Sequence, residues 1–361
     1  MNRFLLGKSL NRFNDFLTIV KRGDQMATID DVAKAAGVSK GTVSSVFSKK
    51  RPISRPVTER VLEVAKGLGY YPSHVARSLA IKKTMIAGLK MPISKDSVMS
   101  GFEIQMINGV IREFSKQGYR LLLDTLPEHD DPTQFSIDPV DGVIMLNPRK
   151  QDPRIERYNQ MGIPLVLIGR PDPIEEQISY VDNDNRHLSL QVGQYLINLG
   201  HTAILFLNSS ADMTVAIDRE NGLAEAFQQS GQSYDQVHVM NYSRRQHANP
   251  TEYGYVSLKN IYEPNRFTAI ITDTDRVALG VMRAARELGI DIPGELSLIA
   301  LSNDATLAQE MTPALTSVEL SAEMLGTEAA KILVEKMKDV DIVEQKIIEA
   351  KLVIRESCRL L

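Results

Sequence analysis

Thr28-Ile29-Asp30-Asp31-Val32-Ala33-Lys34-Ala35-Ala36-Gly37-Val38-Ser39-Lys40-Gly41-Thr42-Val43-Ser44-Ser45-Val46-Phe47 is the stretch whose reading decides the fold. Thr28 is a good N-cap for a helix over about 29–36, where Ile29, Val32, Ala33 and Ala36 share one face at helical spacing. Gly37 can take the left-handed conformation that ends it. Val38 plugs the turn, and Ser39 can cap a second helix over about 40–47 with Val43, Val46 and Phe47 inward. Lys40, Gly41, Thr42, Ser44 and Ser45 then face outward. A helix that reads base edges in the major groove needs such small polar residues at its N-terminal end.

Working outward, Lys49-Lys50-Arg51-Pro52 is a basic loop. Ser54 can cap a third helix over about 55–68, with Pro56 tolerated in its first turn. Val57, Val61, Leu62 and Ala65 form its expected apolar face, and Gly67 and Gly69 help stop it. Residues 27–83 hold 11 Lys+Arg against 4 Asp+Glu, a net of +7, whereas the rest of the chain holds 31 against 41, a net of −10. A basic module on an acidic body points to phosphate as the module's partner.

At 361 residues the chain is long enough for two or three domains. Its 43% hydrophobic and 24% charged residues suit a soluble globular protein. No apolar run approaches the ~20 residues that span a bilayer, so no membrane partner is expected. A single cysteine, Cys358, rules out an internal disulfide framework and suits a reducing cytoplasm. Residues 1–26 do not read as a signal peptide, since Phe4-Leu5-Leu6 is too short an apolar core. Lys21-Arg22-Gly23-Asp24 can be encoded by a purine-rich run resembling a bacterial ribosome-binding site. We therefore expect residues 1–25 to be a translated leader and Met26 the native start.

Two motifs mislead. Gly37-Val38-Ser39-Lys40-Gly41 matches a nucleophile elbow, but that turn follows a strand and this one follows a helix. Gly7-Lys8-Ser9 resembles the end of a phosphate-binding loop without its first glycine. With no complete phosphate loop and no G-x-G-x-x-G, nucleotide binding lacks support and no cofactor is expected. Asp273 and Asp275 lack a third ligand for a metal. A sugar-active enzyme or kinase, and a transport-type binding protein, remain the competing function classes. The first lacks a placeable acid–base pair; the second is opposed by the basic module and the missing signal peptide.

Asp31-Val32-Ala33, Ala36-Gly37-Val38-Ser39 and Thr42-Val43-Ser44, followed by Tyr71-Pro72 and Ala76-Arg77-Ser78-Leu79, resemble the LacI/GalR family of bacterial repressors. The resemblance implies a DNA-binding headpiece followed by a hinge helix that orders on operator DNA. Leu79 matches the leucine that wedges into a central base step of the minor groove, which fits the physics of an apolar kinking residue. The DNA-facing set it implies is Thr28, Ser39, Lys40, Gly41, Thr42, Ser44, Ser45, Lys49, Tyr71, Ser73, His74, Ala76, Arg77 and Leu79. This chain has Ser45 where members often carry Arg or His, and Ser48 where Asn is usual. Gly41 has no side chain to read a base, so more discrimination falls to Lys40, Thr42 and DNA shape.

Beyond Thr84, apolar runs alternate with amphipathic stretches. Strands are expected at 85–90, 120–124, 142–146, 164–169, 179–181, 202–208, 237–240, 269–272 and 298–301. Helices are expected at 103–116, 188–199, 220–229, 277–288 and 322–336. That alternation implies parallel sheets covered by helices, and so many strands need two sheets. A last strand is expected within 346–358, with no leucine heptad for a tetramerisation helix.

The family resemblance continues here and implies two α/β lobes of periplasmic-binding-protein type with an effector in the cleft. The fold class is thus α + α/β, a three-helix helix-turn-helix headpiece with hinge helix followed by two α/β lobes. The expected domains are an N-terminal extension 1–26, a headpiece 27–70, a hinge and linker 71–83, and a sensor 84–361. Within the sensor, lobe 1 takes about 84–182 and 313–340, and lobe 2 about 183–312 and 341–361. Arg219, in Asp218-Arg219-Glu220-Asn221-Gly222, matches the family's effector-binding arginine, whose guanidinium can fork onto hydroxyls.

Asp273-Thr274-Asp275 before Ala278-Leu279-Gly280 resembles the family's Asn-Asp pair, with Thr274 replacing the asparagine. Ser302, in Ala300-Leu301-Ser302-Asn303-Asp304, stands where an aspartate is common. Ile168-Gly169-Arg170-Pro171 and Tyr180-Val181-Asp182-Asn183-Asp184 look like the malto-oligosaccharide branch. With Met99 and Phe102 as an apolar side, the expected effector set is Met99, Phe102, Gly169, Arg170, Arg219, Asp273, Asp275, Ser302 and Asn303. The implied function is a repressor acting as a homodimer on a pseudo-palindromic operator, controlled by a sugar-like effector. Closing the cleft would separate and melt the hinge helices.

Overall fold

The computed structural model describes residues 27–48, 51–71, 83–91, 99–125, 139–173 and 176–361. These divide between two compact units, separated between Thr84 and Met85. In the first, α1 (Ile29–Ala36), α2 (Lys40–Ser48) and α3 (Arg55–Gly67) surround Val32, Val43 and Val61, all fully buried. Thr28 Oγ1 accepts from the Asp31 amide at 3.3 Å while the Thr28 amide donates to Asp31 Oδ2 at 2.8 Å, a reciprocal cap. Gly37 turns the chain at φ +63°, and the Val38 amide donates to the Ala33 carbonyl at 3.0 Å.

The third helix departs from expectation twice. Ser54 precedes α3 but its hydroxyl caps nothing; Pro56 removes one of the N–H groups that a cap would take. Leu62 is 45% exposed. The buried stripe runs through Val57, Val61, Val64 and Ala65, a spacing of i, i+4, i+7 and i+8 that leaves position 62 off the face.

The second unit contains two six-stranded sheets. Sheet one has the order β11-β5-β4-β3-β1-β2, from β1 (Ile86–Lys90), β2 (Arg120–Asp124), β3 (Gly142–Leu146), β4 (Leu165–Ile168), β5 (Ser179–Asp182) and β11 (Gln345–Ile347). Sheet two has the order β12-β10-β9-β8-β6-β7, from β6 (Ile204–Asn208), β7 (Val237–Asn241), β8 (Ala269–Thr272), β9 (Ser297–Ala300), β10 (Thr316–Glu319) and β12 (Lys351–Val353). Among the described residues, all strand pairings are parallel except β12 on β10. Strands β3, β4, β6, β8 and β9 are buried along their whole length, as helices on both faces require.

On sheet one, α4 (Gly101–Lys116) and α11 (Ala322–Lys336) cover one face through Met106, Val110, Phe114, Leu325 and Leu333. Ile155 and Tyr158 of α5 (Pro153–Gln160) cover the other. A Cβ on Gly109 would lie 2.1 Å from the Glu323 carbonyl oxygen, and one on Gly326 would lie 2.0 Å from that of Met106. These glycines let α4 and α11 cross in backbone contact. On sheet two, α6 (Asn185–Asn198) and α7 (Thr214–Gln229) lie on one face and α8 (Pro250–Ile261) and α9 (Asp275–Leu288) on the other. The short α10 (Ala305–Glu310) follows β9.

The nine expected sensor strands are all present within about two residues, but the expected lobe boundaries are not those that the pairing draws. β10, in the span assigned to lobe 1, pairs with β9 in sheet two. β11, in the span assigned to lobe 2, pairs with β5 in sheet one. The single strand expected within 346–358 is instead split between the sheets, as the chain crosses a third time between β11 and β12. Strands of three or four residues leave little periodicity to read, and only their partners decide which sheet they join. Asn183 in the first crossover joins all three: its Nδ2 donates to the Leu320 carbonyl at 3.1 Å and the Ile348 carbonyl at 2.8 Å.

Candidate functional site

On the headpiece, Thr28, Ser39, Lys40, Gly41 and Ser44 are exposed, and Thr42 and Ser45 are half-buried. The hydroxyls of Ser39 and Thr42 lie 2.9 Å apart, and Ser39 Oγ also accepts the Thr42 amide at 3.1 Å. The cap therefore fixes the start of the outward helix. Lys40 Nζ pairs with Asp30 Oδ2 at 2.6 Å. An exposed pair of this kind is worth about 1 kcal/mol or less, so phosphate can displace it. Tyr71 is 82% exposed. Lys49, Ser73, His74, Ala76, Arg77 and Leu79 lie outside the described residues.

In the second unit, strand-end loops of both lobes enclose a cavity of about 160 Å³. Ligands of open α/β sheets bind at the carboxyl ends of strands, and this cavity obeys the rule. Six of the nine expected residues line it: Phe102, Gly169, Arg219, Asp273, Asp275 and Ser302. Arg219 is buried on α7, with Nη1 on the Asp273 carboxylate and Nη2 donating to the Leu301 carbonyl at 3.3 Å. Burial pushes the guanidinium below its usual range and the Asp273 carboxyl above its own, while their mutual attraction opposes both shifts. Asp275 accepts the Asp304 amide at 2.7 Å, and burial raises its carboxyl too. Thr274, the unexpected residue, caps α9 by accepting from the Val277 amide at 3.4 Å. Gly169 has φ +106°, and a Cβ there would lie 2.7 Å from Pro148 Cδ.

Three expected residues do not line the cavity. Arg170 pairs across the cleft with Asp218 of α7. Met99 offers its carbonyl to Arg276 Nη2, also across the cleft, at 2.9 Å. Asn303 is buried with Nδ2 on Ser317 Oγ at 2.7 Å. Each neighbours a lining position in sequence, but Arg170 and Asn303 commit their side chains to these partners and Met99 packs against the core of sheet one.

The expectation also missed lining residues, among them Asp182, Asn185, Asn147 and Ser209. Asp182 accepts the amides of Arg170 at 2.9 Å and Asn183 at 2.7 Å, and Asn185 Nδ2 at 3.0 Å. Burial nevertheless pushes its carboxyl up to about 6, with Asp218 adding to the shift. Asp182 ends β5, and Asn147 and Ser209 directly follow β3 and β6, so the carboxyl-end rule could have found all three.

The cavity wall thus carries Glu103, Asp182, Asp273 and Asp275 against Arg219. Phe102, Leu146 and Ile168 supply an apolar side. Hydroxyl-binding groups facing an apolar wall suit a small ligand with polar edges and C–H faces. Among the described residues no group of three or more His, Cys, Asp or Glu is placed to hold a metal, and no helix is long and apolar enough to cross a membrane.

Residues 28–73 match the family profile described as bacterial regulatory proteins, lacI family, and residues 194–358 match a periplasmic binding protein-like domain. Similar curated proteins include the HTH-type transcriptional regulator CelR of Thermobifida fusca, 29% identical over 91% of this chain and 98% of its own. The transcriptional repressor PurR of Vibrio atlanticus is 30% identical over 88% of this chain and 93% of its own. MalR of Staphylococcus xylosus, at 28%, matches no better, so the resemblance to a malto-oligosaccharide branch is not singled out. A solved CelR–cellobiose complex is 28% identical, with a TM-score of 0.67 over 92% of this chain and 99% of that one.

Proposed function

The chain belongs to the lacI family of DNA-binding transcriptional regulators, and we propose that it is a cytoplasmic repressor whose operator affinity is set by an uncharged sugar. The relatives named above are regulators, not enzymes. The observation that carries the reading is the cavity itself. Arg219 is anchored on Asp273 at a wall rich in oxygen acceptors, with Phe102, Leu146 and Ile168 as an apolar counterpart. The solved CelR–cellobiose complex supports a sugar of this kind. The effector alters operator affinity only by binding one lobe arrangement better than another.

The proposed assembly is a homodimer, because a two-fold operator needs two headpieces. Ile104 and Ile111 lie two turns apart on α4 and are 48% and 44% exposed; Met324 on the adjoining α11 is 55% exposed. That apolar strip supports contact with a second copy. A thermal-shift screen with glucose, maltose, cellobiose and glucose 6-phosphate tests the effector. At a hundredfold excess over Kd, a bound sugar adds about 2.7 kcal/mol, a shift of several degrees. Stabilisation by a neutral sugar supports the reading; stabilisation by none of them sinks it. Operator affinity that fails to fall steeply with salt would remove the DNA-facing set.

A further inference from the structure

Ser209 follows β6 and is only 6% exposed, yet its hydroxyl has no hydrogen-bond partner among the described residues. The residue also lines the inter-lobe cavity. Its backbone is held on both sides: the Ser209 amide donates to Asn208 Oδ1 at 2.9 Å, and its carbonyl accepts from Asn241 Nδ2 at 3.0 Å. Asn208 is in turn fully buried and donates through Nδ2 to the Ala216 carbonyl at 3.0 Å. The Ser209 amide and carbonyl and the Asn208 side chain are therefore matched, and the Ser209 hydroxyl is left over. A buried hydroxyl without a partner is costly, and such groups concentrate where a ligand completes them.

We propose that Ser209 is a specificity-determining residue of the cleft, its hydroxyl bonding one hydroxyl of the bound sugar. This rests on the sugar reading above. Among the described residues the surrounding wall has four carboxylates against one guanidinium, which opposes a phosphorylated partner and favours a neutral one. A serine hydroxyl both donates and accepts, so it can meet a sugar hydroxyl in either sense. The neighbouring carboxylates can only accept while ionised.

The test is calorimetric titration of wild type and Ser209→Ala with cellobiose and maltose, then with the monodeoxy derivatives of whichever binds. The variant should bind the parent sugar roughly 3- to 10-fold more weakly. One derivative should lose a similar factor on wild type and lose nothing further on the variant. The sugar-free variant should melt no lower than wild type, because the removed hydroxyl has no partner among the described residues. A lower melting temperature would show a structural partner and overturn the assignment. An unchanged Kd for the parent sugar would overturn it while leaving the sugar reading intact. Wild type that binds neither sugar nor any of the other screened sugars would overturn that reading and this assignment with it.

Discussion

Arg170, just beyond β4, forks through Nε and Nη2 onto both carboxylate oxygens of Asp218 on α7, so one ion pair joins the first lobe to the second. The side chains are 19% and 12% exposed. The pair is shielded enough to matter, unlike the solvated pairs on the outer helices. It stabilises the lobe arrangement seen here, and a ligand that needs this arrangement gains by it. Arg170→Ala should weaken sugar binding about tenfold although Arg170 does not line the cavity, because less of the protein is in the competent state. Asp218→Asn should do the same, and the double variant should be little worse than either. Strictly additive losses in titration calorimetry would show that the two residues act separately.

Gly101 opens α4 where the lobes meet. A Cβ there would lie 1.9 Å from Asp304 Oδ2 and 2.6 Å from Asp304 Cβ. Asp304 cannot readily turn aside, since Oδ1 caps α10 by accepting from Thr306 at 2.9 Å and Leu307 at 3.2 Å. Alanine is otherwise the better helix former. Gly101→Ala should therefore hold the lobes apart, weakening sugar affinity tenfold or more without lowering the melting temperature of the sugar-free protein. Unchanged affinity would show that the lobes yield at this contact at little cost.

Arg219 should be indispensable to the sugar response. Its removal alone leaves Asp273 without its partner, a loss of about 3–5 kcal/mol that confuses folding with binding. The pair Arg219→Met with Asp273→Leu avoids this. That variant should melt near wild type and bind operator normally, yet show no change of operator affinity on adding the sugar. A retained response would remove Arg219 from the effector site.

Asp182 should leave a signature in stability against pH. Burial raises its folded pKa to about 6 from the ordinary carboxyl value of 3.8, with Asp218 adding to the rise and Arg219 and the amides of Arg170 and Asn183 opposing it. Between these values the folded protein keeps a proton that the unfolded chain has lost, so stability falls as pH rises from about 4 to 6 and then levels. The shift sets a scale on the order of 3 kcal/mol. Asp182→Asn should lack this slope. Chemical denaturation at pH 4.5, 5.5 and 7 would decide, and parallel curves for the two proteins would refute the assignment.

Leu79 lies outside the described residues, and its role as a minor-groove wedge rests on the sequence. Leu79→Ala should lower specific operator affinity at least tenfold and change non-specific binding less than twofold. The slope of log affinity against log salt should persist, because phosphate contacts are untouched. Equal losses for operator and random DNA would discard the wedge.

The headpiece was legible from the chain alone because its signals are local. The Thr28 and Ser39 caps, the Gly37 turn and the Val43–Val46 face all act within a few residues, and each forms where spacing put it. Only Leu62 and the Ser54 cap failed. The helix α8 was missed despite its own local signal: Asn249 caps the Glu252 amide at 2.9 Å, with Pro250 in the first turn.

In the sensor, the strands and six cleft residues could be read by sequence, since strand ends place their loops at one edge of each sheet. Sequence could not tell that Arg170 turns to Asp218, that Asn303 turns to Ser317, or that Ser209 is left unmatched. The first two depend on partners 48 and 14 positions away in the chain. The lobe assignment of β10, β11 and β12 was decided in the same way, by hydrogen bonding to β9, β5 and β10. Local composition and periodicity thus determined the headpiece and the alternation of strands and helices, and the quoted motifs carried the resemblance to the family. The pairing of short strands and the orientation of cleft side chains were settled only in three dimensions, because both are contests between distant partners for the same hydrogen bonds.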